Sequence, residues 1–230
     1  MFTGFDFDVI QRSLPFLWQG MMFSLGLTLL AMVGGIILGT LLALMRLSPY
    51  KIISMPAGGY VNLLRATPLI LVIFWFYFLL PIAMKKITGN PYATGLGPFY
   101  SALITFTLFE AAYYCEIIRA GIQSVPRGQV SAAYALGLTY PQAMTQVVLP
   151  QAFRNMIPIL LTQSIILFQD TSLVYVVGLT DFMGAAAKTA QRDGRLVEMY
   201  LFAALIYFIM CYGASHVVKQ LQMRYNVGRN

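Results

Sequence analysis

Apolar residues run in five long stretches along the chain, with charge and turn-forming residues gathered between them. The stretches lie between Arg12 and Arg46, Arg65 and Lys85, Pro98 and Arg119, Met156 and Gly178, and Glu198 and Lys219, each with few or no charged side chains inside. A transmembrane helix needs about 20 apolar residues, and each stretch supplies them. The pattern predicts one all-α membrane domain, residues 1–230, with spans at about 17–45, 61–83, 98–119, 154–179 and 198–218.

The exceptions inside the spans carry the chemistry. In the first, Ala31, Gly35, Gly39 and Ala43 recur every fourth residue, a small-residue stripe that lets another helix approach closely in lipid. Gly34 to Thr40 has the glycines of a phosphate loop but no lysine to reach a phosphate, so the chain has no nucleotide site of its own. The second span opens on Arg65-Ala66-Thr67-Pro68. As a basic residue at the end of a span, Arg65 can snorkel to the headgroups and is a candidate to meet a carboxylate.

The third span holds Glu110, Tyr113, Tyr114, Glu116 and Arg119. A charge near the bilayer centre costs on the order of 2.5 to 3.5 kcal/mol on insertion scales, so Glu110 is expected to face protein or a watery pathway. Glu116 and Arg119, three apart near the span's end, are expected to form a structural ion pair. The fourth span adds Gln163, Gln169, Asp170, Thr171 and Ser172 as pathway candidates. Asp-Thr-Ser side chains compete with the backbone for hydrogen bonds, which predicts a bend or broken helix there.

Between the third and fourth spans, residues 124–150 are short, polar and rich in small side chains. Ser124 and Pro126 are helix-opening residues, Gln129, Ala132, Ala133 and Leu136 share one helical face, and Gly137 suits a left-handed helix terminus. Thr139 and Gln142 form a capping-box pattern for a second short helix, expected to end at Leu149 before Pro150. Two short helices at a glycine corner make a knob suited to a partner's groove.

The composition, 59% hydrophobic and 10% charged, makes the bilayer the solvent for most of the chain. The net charge of +7 follows membrane topology and does not point to nucleic acid. Nine basic residues and no acid lie at 46–65, 119–154 and after 218, against six basic and five acidic residues in the other connections. The positive-inside rule therefore puts the 124–150 loop and the C-terminus inside and the N-terminus outside. No cleavable signal is expected, because Met1 to Leu14 has no basic opening region and the first apolar stretch is too long. Cys115 and Cys211 fall within spans as packing residues, and a single histidine, His216, leaves no basis for a multi-histidine metal site.

The register Gly128-Gln129, Ala132-Ala133, Gly137, Val147, Leu149-Pro150 resembles the coupling loop of the membrane subunits of ATP-binding-cassette importers, with Ser131 where that family carries Glu. Glu110-Ala111-Ala112 spells the same motif but has Glu116 in the glycine position and lies in an apolar span. The Arg-Ala-Thr-Pro entry, the run from Glu116 to Gln129 and Asp-Thr-Ser-Leu extend the resemblance to polar-amino-acid importers over nearly the whole chain. The F-E-A-A-Y-Y-C-E-I-I-R-A-G and L-F-Q-D-T-S-L-V-Y-V runs are most similar to permeases of glutamate/aspartate importers.

The resemblance implies a type I importer permease bundle in a bacterial inner membrane. It implies a second permease subunit, identical or homologous, two ATPase subunits that bind ATP and Mg, and an extracytoplasmic substrate-binding protein. Gly128, Gln129, Ser131, Ala132, Ala133, Gly137, Leu149 and Pro150 are the implied ATPase-coupling residues, and no cofactor belongs to this chain. A permease for another polar amino acid is the alternative. A secondary transporter would need internal repeats, and a membrane enzyme a nucleophile–base or metal constellation; neither is evident.

Overall fold

The computed structural model describes residues 6–89 and 96–226. Its helices are α1 (Phe7–Leu47), α2 (Lys51–Arg65), α3 (Leu69–Phe74), α4 (Leu80–Thr88), α5 (Gly97–Gln123), α6 (Arg127–Ala135), α7 (Tyr140–Ala143), α8 (Leu149–Asp170), α9 (Phe182–Asp193) and α10 (Leu196–Asn226). Among the described residues, five helical runs are long and apolar enough to cross a membrane: Phe7–Leu47, Leu69–Thr88, Gly97–Gln123, Tyr140–Val177 and Leu196–Arg224. The five expected spans are present, with shifted edges.

The first helix begins at Phe7, well before the expected 17, because the Asp6 side chain caps it by accepting from the Asp8 N–H at 2.9 Å. Its 41 residues extend about 60 Å, roughly twice the hydrocarbon thickness. The N-terminal part packs on α9, where Val9, Leu17 and Met21 are buried with Ala185, Ala186 and Ala190.

The second span does not begin at 61. Pro68 lacks an N–H and disfavours helical geometry at Thr67, so α2 ends at Arg65 as a separate helix and the span restarts at Leu69. Leu42, Ala43, Ala57, Val61 and Leu64 bury the inner face of α2 against α1 and α5.

Two π-helical turns, Trp75–Leu79 and Met144–Val148, each end two residues before a proline, Pro81 and Pro150. A widened turn accommodates a ring that clashes with the preceding turn of a regular helix. This overturns the expectation that the second short helix stops before Pro150. The chain stays helical from Tyr140 through Asp170 and then tightens into a 3₁₀ segment, Thr171–Val177, at the expected break.

The small-residue stripe is the seam between α1 and α5. A Cβ on Gly39 would lie 2.8 Å from the Tyr114 Cβ and 2.9 Å from the Ala111 carbonyl oxygen; one on Gly35 would lie 3.1 Å from the Glu110 Cβ. Cys115 and Cys211 are buried free thiols.

Candidate functional site: the coupling loop and the polar cluster

The candidate coupling loop is built from the short helix α6 and the first turns of the helical run that begins at Tyr140, on a small core of its own. Val125, Val148 and Ala152 are buried together, with Ile122, Val130 and Met144 packed around them. Its neck is tied where Asn155 donates to the Ser124 hydroxyl at 2.7 Å. Pro126 caps α6, so Ser124 closes α5 instead of opening the loop helix.

The glycine corner is a Schellman motif. The Gly137 N–H donates to the Tyr134 carbonyl at 2.9 Å, the Leu138 N–H donates to the Ala133 carbonyl at 3.1 Å, and Gly137 has φ +82°. Beyond it, the Gln142 side-chain oxygen accepts from the Thr139 N–H at 2.9 Å, completing the capping box that starts α7. Of the candidate coupling residues, Gly128, Gln129, Ser131, Ala132, Gly137 and Pro150 are exposed, Leu149 is half-buried, and Ala133 is buried. Leu136, 83% exposed, adds an apolar tip. The loop presents small residues around the larger exposed side chains of Tyr134, Leu136 and Tyr140.

Within the spans, Glu110 is fully buried, and Gln163 of α8 donates to its two carboxylate oxygens at 3.1 and 3.3 Å. One residue along, Ser164 donates to the Leu160 carbonyl at 2.9 Å and lies 3.4 Å from the Tyr114 hydroxyl. Asp170 is half-buried and within electrostatic reach of Glu110. Seven residues after Gln163 is nearly two full helical turns, so Gln163 and Asp170 share a face.

Gln169 does not join them. It is exposed and faces Cys211 of α10. The Thr171 hydroxyl donates to the Phe168 carbonyl at 2.7 Å, where it serves the 3₁₀ transition. Ser172 is half-buried on the same segment. Glu110, Gln163 and Asp170 remain as the candidate pathway cluster.

Glu116 and Arg119 do form an ion pair, at 2.7 Å, but it is only part of a larger set. Arg46 at the end of α1 also contacts Glu116, and Arg65 at the end of α2 lies 4.0 Å away. The Arg65 guanidinium stands 5.5 Å above the centre of the Tyr113 ring. Arg65 therefore belongs to the Glu116 hub, six residues or nearly two helical turns along α5 from Glu110. Sequence spacing identified the i,i+3 pair but carried no signal for partners on other helices.

Residues 35–227 match the family described as binding-protein-dependent transport system inner membrane component. The chain belongs to that family. It is similar to the glutamate/aspartate import permease protein GltK of Escherichia coli O6:H1, at 49% identity over 96% of this chain and 98% of that one. It is 36% identical to the L-cystine transport system permease protein TcyB of Bacillus subtilis, covering 97% of this chain and 94% of that one. Among solved structures, an amino acid ABC transporter with histidines superposes with a TM-score of 0.87 at 31% identity, covering 96% of this chain and all of that one. The protein is thus an inner-membrane permease subunit of an ATP-binding-cassette importer with the type I fold.

Proposed function

We propose that the permease imports an acidic amino acid, glutamate or aspartate, and that a separate ATPase pair bearing ATP and Mg drives it through the 124–150 loop. The observation that carries this reading is the full-length similarity to GltK. A second permease subunit completes the pathway, and a substrate-binding protein delivers cargo at the opposite end. The N-terminus lies outside and the loop and C-terminus inside, in keeping with the nine basic residues and no acid in the inner connections.

The loop's exposed Gly128, Gln129, Ser131 and Ala132 let an ATPase groove approach the backbone with little side-chain entropy to lose. When the ATPases close on ATP, both loops move, and the packed bundle changes between discrete arrangements because a close-packed interior resists smooth deformation. In the pathway, Glu110 and Asp170 suit the substrate's α-ammonium group and repel its carboxylates. Selectivity for an acidic side chain therefore resides chiefly in the binding protein.

The test is uptake by the complete complex reconstituted with its binding protein. ATP-dependent uptake of labelled glutamate and aspartate is expected to exceed that of glutamine, arginine and histidine. Preference for a neutral or cationic amino acid overturns the substrate while leaving the importer intact.

A further inference from the structure

Glu116 has one carboxylate for three arginines, each from a different helix. The three are not equivalent. Arg46 and Arg119 contact Glu116 directly, with side chains 19% and 28% exposed; Arg65 is 43% exposed and lies 4.0 Å away. It is also the last residue of α2, beside the break at Ala66 and Thr67 where the chain leaves one helix for the next.

We propose that Arg65 is the movable member of this hub, a positioning residue that carries displacement of the coupling loop to the pathway cluster. Arg119 donates to Gln123 at 2.7 Å, and the next residue, Ser124, is tied to Asn155 at the loop neck. Movement of the loop therefore pulls on the end of α5 that holds Glu116. Arg46 and Arg119 keep their close contacts and carry Glu116 with them. Arg65, held only at 4.0 Å, pivots on the Tyr113 ring, which moves with Glu116 as part of α5. Tyr113 lies midway between Glu116 and Glu110 on α5, and Glu110, Asp170 and Arg65 all act on it electrostatically. A guanidinium there exchanges Glu116 for the pathway carboxylates, drawing α2 toward the cluster as α5 moves. Planarity lets it remain stacked on the ring throughout, which a lysine ammonium does not reproduce.

This rests on the importer reading but not on the identity of the substrate. Arg65→Gln, Arg65→Lys and Arg46→Gln are purified in the full complex and reconstituted. The readouts are amino acid imported per ATP hydrolysed, ATPase stimulation by liganded binding protein, and thermal unfolding.

Arg65→Gln is expected to assemble and unfold at the wild-type temperature but to lose about fivefold in uptake per ATP. Arg65→Lys should recover part of that loss, and Arg46→Gln should instead lower the unfolding temperature. Wild-type coupling in Arg65→Gln overturns the proposal. So does failure of that variant to assemble, or an equal effect of Arg46→Gln and Arg65→Gln on both readouts, since the hub is then a static brace. A wrong substrate in the wild-type uptake panel leaves this test unaffected.

Discussion

Gln163 donates to both carboxylate oxygens of Glu110, at 3.1 and 3.3 Å, across the contact between α8 and α5. The amide is the partner that makes a fully buried carboxyl tolerable among apolar helices. Gln163→Leu is expected to cost about 1–3 kcal/mol by leaving Glu110 without that partner. Glu110→Gln, which preserves an amide-to-amide hydrogen bond, should cost less. Thermal unfolding of the purified protein in detergent ranks the two; equal losses would show that the pair does not stabilise the helix contact.

The α1–α5 seam gives a second expectation. A Cβ at Gly39 meets backbone atoms of α5, the Ala111 carbonyl oxygen at 2.9 Å and the Cys115 nitrogen at 3.0 Å, so no flexible side chain can yield. Gly39→Val must separate the helices, at about 1–3 kcal/mol. Gly26→Ala in the same helix, where nothing lies within 4 Å of the added Cβ, serves as the control and should be neutral or slightly stabilising in the same thermal unfolding measurement.

The number of spans, the Ala31–Ala43 stripe and the glycine corner were legible because each is a local pattern of one helix or one turn. The edges were less so. Pro68 carried the signal for the break between α2 and the span, but the apolar run on either side masked it. The stretch from Lys188 to Arg195, between the expected fourth and fifth spans, is polar, yet the structure places Lys188 to Asp193 in α9, with Ala185 to Ala187 buried against its neighbours. An acidic N-cap, Asp181, and a left-handed Gly194 bound that helix and were readable in principle. The three-arginine hub was not, since Arg46, Arg65 and Glu116 come together only through tertiary packing.

At the coupling loop, Gly137 has φ +82°, and nothing lies within 4 Å of where a Cβ would sit, so glycine is favoured there by backbone conformation and not by crowding. Gly137→Val should cost on the order of 1–2 kcal/mol locally and misdirect α7 relative to α6, lowering transport-coupled ATPase activity. Gly137→Asn, which tolerates the left-handed region, should retain most of it. The two variants are compared by ATPase stimulation in the reconstituted complex; indistinguishable stimulation would mean that the corner's geometry does not set the docking.

Asp181 gives the pH prediction. It is fully buried between the fourth and fifth spans, and its carboxylate oxygens accept from the Gly184 N–H at 2.9 Å and the Met183 N–H at 3.0 Å. Burial pushes its carboxyl up from the ordinary 3.8 to about 6, against the opposing pull of those N–H groups. The folded protein therefore holds this proton more tightly than the unfolded chain does. Its contribution to stability is greatest below 3.8, falls as pH rises toward about 6, and is flat above that. Asp181→Asn keeps an oxygen acceptor for the α9 cap and removes the titration, so the variant should lose this pH slope and match or exceed the native protein near neutrality. Asp181→Ala loses the slope and the cap together, at about 1 kcal/mol for the cap. Thermal unfolding measured from about pH 4 to pH 7 separates the three proteins; a slope in Asp181→Asn as steep as the native one would assign the pH dependence to other groups.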